Sequence, residues 1–290
     1  VRHVLRRGHR IVGAALLAAL MAAPGSAQDE AALDRLVERA SDYTVDFVTR
    51  FSNVVAEEEY VQSWRNLRRV LVSDFLFVQD LSGDYLAFRD VFRVNGNAVR
   101  DRDARIAALF LKPTSDSASR ADQINTEGAR HTIGGVFNNP LLGLAFLQPR
   151  FKARFRFVLG RTERGRKTAE GTTSDVWIVN YREQDRPTIL RSPEGGDLPA
   201  TGSYWIEADT GRILRSELQL PNDTIVSFFE FDERFGIAVP VRMTDRYRYQ
   251  NNVVNGTATY TRFRRFDVVT DDRVKEEAVN EDAVKDDTEK

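Results

Sequence analysis

Between residues 29 and 55, apolar positions return every three or four residues: Leu33, Leu36, Val37, Ala40, Tyr43, Val45, Phe47, Val48 and Phe51. Acids and arginines fill the gaps, so the pattern predicts an amphipathic helix with one core-facing stripe. The period then shortens. "EYVQSW", "RRVLVSDFLFVQ" and "DYLAFRDVFRV" alternate partly and are rich in β-branched and aromatic residues, as strands are. Asn95-Gly96 predicts a type I′ hairpin turn. "RDRDARIAALFL" regains helical spacing until Pro113, "SDSASRADQINTEGARHTIG" reads as a polar helix capped at Ser115 or Ser117, and "NNPLLGLAFLQP" reads as a short buried helix. From residue 150 the pattern is almost wholly two-residue. In "RFKARFRFVLG", Phe151, Ala153, Phe155, Phe157 and Leu159 fall on one side, against Lys152, Arg154 and Arg156. Six more such segments follow. Turns are predicted at Asp209-Thr210-Gly211, Pro221-Asn222-Asp223 and Asn255-Gly256.

These elements make an α+β fold. It is a large curled antiparallel sheet of about nine or ten strands, with helices packed on its concave face. The apolar segments 33–51, 106–110 and 141–147 are the expected cover. No repeat of fixed period and no Gly/Ser linker divides the chain.

The ends change the picture. Arg2, Arg6, Arg7 and Arg10 precede an apolar run over 11–23, and small residues stand at Gly25 and Ala27. This predicts a signal peptide over 1–27, cleaved after Ala27, and a periplasmic or secreted protein. The apolar run is short for a membrane span, and no later segment is long enough for one. Residues 28–270 are expected to form one domain, and 271–290 a polar, acidic tail without apolar surface to bury.

Composition removes several chemistries. Asp and Glu number 43 against 42 Lys and Arg, and four of those arginines lie in the leader, so a nucleic-acid surface is not expected. With no cysteine there is no disulfide, no thiolate nucleophile and no Cys-ligated metal. His131 is the single histidine after the leader, four residues beyond Glu127. One such pair with no second histidine reads as a hydrogen-bonded histidine rather than a metal site. No catalytic residue, metal or cofactor is assigned.

The charged run after Asn95-Gly96 invites a catalytic reading. Asp101, Arg102, Asp103 and Arg105 are instead expected to form a strand-to-helix junction. An aspartate would serve as N-cap, and the arginines would pair with carboxylates on the sheet.

Two stretches carry a resemblance. "GSYWIEADTGRILRSELQLPND", with Trp205, Asp209, Gly211, Arg215 and Glu217, resembles the periplasmic lipoprotein-carrier superfamily, which includes the lipoprotein localisation factors and the outer-membrane lipoprotein-sorting proteins. "FGIAVPVRMTDRY", with Pro240, Met243 and Asp245, is similar to a later strand of the same superfamily. "FRDVFRVNGNAVRDRDAR" and "GTATYTRFRRFDV" also resemble stretches of uncharacterised secreted bacterial proteins. The resemblance implies an incomplete β-barrel with helices in its mouth, binding lipid or acyl chains in an apolar concavity. Phe151, Phe155, Phe157, Trp177, Trp205, Phe229 and Tyr247 are the candidate cavity lining. The expected partner is thus a hydrophobic small molecule or lipid. An envelope protein–protein interaction module, its sheet plugged by its own helices, is the alternative, and a hydrolase ranks third.

Overall fold

The computed structural model describes residues 24–52, 54–79, 85–100, 117–135, 138–168, 171 and 173–265. Helix α1 (Pro24–Phe51) leads into β1 (Val54–Trp64), β2 (Leu67–Gln79), β3 (Tyr85–Val94) and the two-residue β4 (Asn97–Ala98). Helices α2 (Ser117–Ala129), α3 (Leu142–Ala145) and α4 (Pro149–Lys152) follow. The chain then runs through β5 (Phe155–Lys167), β6 (Thr173–Glu183), β7 (Thr201–Glu207), β8 (Ile213–Leu220), β9 (Asp223–Asp232), β10 (Ile237–Tyr249) and β11 (Asn252–Arg265).

All eleven strands join one antiparallel sheet in the order β4-β3-β2-β1-β11-β10-β9-β8-β7-β6-β5, which does not close into a barrel. Two meanders make it, and the pairing of β1 with β11 fuses them. That pairing sets Glu58 beside Tyr260, Tyr60 beside Ala258 and Gln62 beside Gly256. Strands β4 and β5 consequently stand at opposite edges, although they are adjacent in sequence order. The segment between them has to travel the full width of the sheet.

Its contacts trace that path. At the β3 end, Asn125 Oδ1 accepts from Arg89 N at 3.2 Å and its Nδ2 donates to the Ala87 carbonyl at 3.3 Å. The side-chain amide thereby satisfies backbone groups of a strand that has almost no partner there, since β4 pairs with only two of its residues. Arg69 of β2 then donates to the His131 carbonyl at 2.9 Å, and Gln62 of β1 accepts from Ile133 N at 2.8 Å. Asn138 reaches Asp245 of β10 at 2.7 Å, and Tyr204 of β7 donates to the Gly143 carbonyl at 2.6 Å. Phe146 stacks on Phe155 of β5 with ring centroids 4.8 Å apart.

Helix α1 lies on the same face. Phe47 meets Phe229 edge-on at 6.5 Å, and Phe229 shares its side of β9 with Ile225 and Ser227. Phe51 contacts Phe77 and Phe263, while Leu36, Ala40 and Phe51 are wholly buried. Polar ties sit around this apolar contact. Arg39 Nε donates to the Ala208 carbonyl at 3.1 Å, the Tyr43 hydroxyl accepts from Ala238 N at 2.9 Å, and Lys152 pairs with Glu38. Segments 33–51 and 141–147 thus make their contacts with one face of the sheet; 106–110 lies outside the described residues.

Five local expectations are corrected. The sheet has eleven strands, and the helical stripe ends at Phe51, because Val54 and Val55 already belong to β1. Val45 is exposed, because the buried stripe of α1 runs through Ala40, Thr44, Phe47, Val48 and Phe51 and leaves it on the outer face. Phe151 belongs to α4, with Pro149 at its first position, so the alternation that joined it to Phe155 and Phe157 crosses a helix–strand boundary. Asn255-Gly256 lies inside β11, and the hairpin turns at Gln250 and Asn251, both with positive φ (45° and 59°). Asn95-Gly96 does turn as expected, with φ of 48° and 85°. Pro240 is accommodated in β10 beside a bulge, where the register shifts between Pro240 and Arg242.

Candidate functional site

The covered face has an apolar zone and a polar zone. The apolar zone lies under α1, α3 and α4, across the β5–β10 side. Phe155 there packs edge-on to Tyr181 at 5.7 Å, and Tyr181 stacks on Tyr204 at 4.5 Å. Burial pushes the Tyr204 hydroxyl well above its ordinary pKa. The Tyr181 hydroxyl is raised likewise by burial.

The polar zone lies beneath residues 131–135 and Asn138, where β3, β2, β1, β11 and β10 run side by side. Glu58 is fully buried, and Arg89 faces it at 3% exposure. Arg89 Nη2 donates to Glu58 Oε1 at 2.8 Å, and its Nε donates to Oε2, making a two-pronged pair. Ser73 Oγ donates to the same carboxylate at 2.9 Å. Burial alone would lower the Arg89 guanidinium, but Glu58 and the Tyr260 hydroxyl hold it above its ordinary pKa.

Next to this pair, the Tyr60 hydroxyl donates to Asp245 Oδ2 at 2.7 Å, and Asn138 Nδ2 donates to the same oxygen at 2.7 Å. Asn138 Nδ2 also reaches Asp223 Oδ1 at 3.3 Å. Gln62 holds the crossing segment from below. Its Nε2 donates to the Tyr247 hydroxyl at 2.7 Å, its Oε1 accepts from Ile133 N, and Tyr247 donates on to the Ile133 carbonyl.

Two carboxyls in this zone are raised. Burial pushes Asp245 upward, against the Tyr60 and Asn138 hydrogen bonds that lower it. Burial and the nearby Asp245 bring Asp223 up to about 6. The folded chain thus holds these protons more tightly than the unfolded chain, where an aspartate titrates near about 3.9. Both contributions favour folding at low pH and weaken as the pH rises; that of Asp223 is lost as the pH passes through about 6. Asp223→Asn should therefore reduce the difference in melting temperature between buffers at about pH 4.5 and about pH 7.5. An unchanged difference would show that Asp223 is not a source of it.

A pocket of about 290 Å³ opens where the polar zone meets α2. Phe75, Phe88 and Arg89 come from the sheet, Asn125 and Ala129 from α2, and Asn139 from the crossing segment. It combines aromatic walls with a cation and two amides, the composition that accepts an apolar body with a polar end.

The sequence candidates are distributed as follows. Phe155, Phe157, Trp177, Phe229 and Tyr247 share the covered face; Phe155, Phe229 and Tyr247 are buried there. Tyr247 belongs to the polar zone, with Ile133 and Val254. Trp205 points to the opposite face, where the Arg215 guanidinium lies 4.0 Å from its ring centroid. Phe151 is half-buried under the Arg150 guanidinium, 4.7 Å away. The seven aromatics thus do not surround a single open cavity.

Of the junction run, Asp101, Arg102, Asp103 and Arg105 lie outside the described residues. Arg100 immediately before them bridges sheet and helix, at 3.1 Å from Asp90 Oδ1 and 2.7 Å from Glu127 Oε2. Glu127 is therefore engaged by Arg100. His131 follows the end of α2 rather than occupying its next turn, and burial with the neighbouring Arg100 and Arg69 charges lowers its pKa. Among the described residues no three His, Cys, Asp or Glu side chains gather as a metal site. Glu58, Arg89, Gln62 and Asn138 were missed by sequence reading. Each is a polar residue at an inward strand or loop position, and only the cross-strand partners show why it is there.

Several solved structures are similar to this chain. One is an outer membrane lipoprotein-sorting protein domain from Vibrio parahaemolyticus, 11% identical, with 85% of this chain and 99% of that chain covered at a TM-score of 0.41. Another is a LolA superfamily protein from Nitrosomonas europaea, 11% identical, covering 83% and 96% at 0.34. A third is a DUF1329 family protein from Desulfovibrio piger, 12% identical, covering 85% and 98% at 0.38. No protein-family profile and no curated protein matches the sequence. Among the described residues no helix is long and apolar enough to cross a membrane.

Proposed function

We propose that this protein binds a hydrophobic ligand, a lipid or an acyl chain, in the bacterial envelope. The ligand is held between the covered sheet face and its own helical cover. The observation that carries this reading is how the cover is attached. Helix α1 closes a broad aromatic face through apolar side chains and a few peripheral polar ties, and the crossing segment is held to the sheet by side-chain hydrogen bonds; neither adds a strand to the sheet. Such a cover can shift without breaking a β ladder, and the face it leaves is apolar. A ligand chain laid on that face gains about 0.8 kcal/mol per buried methylene. The pocket at the α2 margin gives the polar end a place beside Arg89 and Asn125. No covalent step is required.

Native mass spectrometry and solvent extraction of the purified protein should reveal bound lipid. Ala129→Trp, which fills the pocket, should lower the bound amount several-fold while the protein stays folded. A lipid-free protein that also fails to take up a fluorescent fatty acid would overturn the proposal.

A second reading is a protein-interaction module with a permanently plugged sheet. It is favoured by the complete burial of Leu36, Ala40 and Phe51. In that case the Ala129→Trp variant would capture a protein partner as well as the parent does.

A further inference from the structure

We propose that the opposite face of the sheet carries a second, polar site, which binds a phosphate-bearing ligand with adjacent hydroxyls. The site is a groove of about 580 Å³ over β5–β8, separate from the covered face. Arg156 and Arg182 supply its charge, and the amides of Asn180 and Gln184 line it with them. Thr201, Ser203 and Gln219 complete the polar wall, and no carboxylate is among the lining residues. The inference does not depend on the lipid-binding reading.

The register makes the two arginines informative. Arg156 of β5 and Arg182 of β6 are direct cross-strand partners. Like charges directly opposite each other destabilise a sheet. Elsewhere in this structure arginines meet carboxylates: Arg215 with Glu217, Arg262 with Glu57 and Arg264 with Asp74. Arg156 and Arg182 make no side-chain hydrogen bond or ion pair with any described residue. Glu217, the acid opposite Ser203 on the neighbouring strand, is already held by Arg215 at 3.0 Å and by Gln219 at 2.9 Å. An anion between the two guanidinium groups would relieve their repulsion, and planar guanidinium forks match phosphate oxygens.

The surrounding groups suit a hydroxylated carrier of that phosphate. Ser203 Oγ donates to Asn180 Oδ1 at 2.8 Å, which commits the amide oxygen and leaves Nδ2 as the donor for a ligand. Gly160 keeps that nitrogen accessible, because a Cβ there would stand 3.0 Å from it. The exposed Val158 adds a small apolar contact at the rim. Glycerol phosphate, free or as a lipid headgroup, has this chemistry.

The full-length protein should be titrated with glycerol 3-phosphate by calorimetry and thermal melting, and sedimented with phosphatidylglycerol or phosphatidylcholine vesicles. Binding of glycerol 3-phosphate, or of phosphatidylglycerol but not phosphatidylcholine vesicles, supports the site; the two arms tell a soluble ligand from a headgroup. R156Q and R182Q should each weaken binding by about tenfold or more, in line with loss of a charge-assisted contact. Each should also melt slightly above the parent in phosphate-free buffer, since the repulsion is gone. Sodium chloride at matched ionic strength producing the same melting shift would overturn the proposal. So would variants that self-associate through the β5 edge yet bind phosphate as before, which would make the arginines guards of the edge strand.

Discussion

Replacing Arg89 with methionine should destabilise the fold by about 3–5 kcal/mol, because it strands the Glu58 carboxylate without its counter-charge. Glu58 has no exposed surface, and its oxygens are taken by Arg89 and Ser73. With Arg89 gone, only the neutral Ser73 and Tyr260 hydroxyls would face a buried anion. The carboxylate would then have to pick up a proton or draw water into the sheet. The Arg89 guanidinium also lies 5.5 Å from the Phe75 ring centroid and 5.7 Å from that of Tyr60, so packing is lost with charge. Chemical denaturation measures the effect, and the Glu58→Gln/Arg89→Met double variant is the control. If the cost arises from the orphaned charge, the double variant is more stable than Arg89→Met alone. A single-variant loss below about 1 kcal/mol would place the pair among weak surface-like bridges.

Gly256→Ala is the second severe change. A Cβ at position 256 would lie 1.8 Å from Asp245 Oδ1 and 2.6 Å from the Tyr60 hydroxyl. The methyl group cannot be admitted unless Asp245 rotates away and gives up its bonds from Tyr60 and Asn138. Overpacking and the broken buried hydrogen bonds together should cost about 2–5 kcal/mol. The crossing segment should loosen at Asn138 as well. Hydrogen exchange at residues 131–138 would report that, and denaturation the overall loss. Because the tightest clash is with the Asp245 side chain, Asp245→Ala should recover part of the stability in the Gly256→Ala background. Strict additivity of the two changes would show that they do not meet.

Gly256 also shows where sequence reading stops. Asn-Gly followed by alternation is a strong local hairpin signal, and at Asn95-Gly96 it is obeyed. At Asn255-Gly256 the glycine is needed for a different reason: a carboxylate from the neighbouring strand occupies the volume of its missing side chain. The signal for that use resides in Asp245 and Tyr60, which stand 11 and 196 positions away. Phe151 illustrates a related failure, since a two-residue pattern can run unbroken from a helical turn into a strand.

What the sequence by itself determined is the material of this protein. The change from a three-to-four-residue to a two-residue period announces α1 and most of the strands, because helix and strand present side chains with those periods whatever lies around them. The apolar positions 33–51 and 141–147 announce a cover, and the lack of cysteine removes whole chemistries. Tertiary structure alone decided the arrangement. Pairing of β1 with β11 puts β4 and β5 on opposite edges and forces residues between them across the sheet. That crossing, in turn, brings Asn138 onto Asp245 and Gln62 under Ile133. It is also strand register that sets Glu58 against Arg89, and Arg156 against Arg182. Periodicity is a property of neighbours in the chain, whereas strand register depends on partners as far apart as residues 54 and 265, whose meeting depends on the packing of the whole sheet.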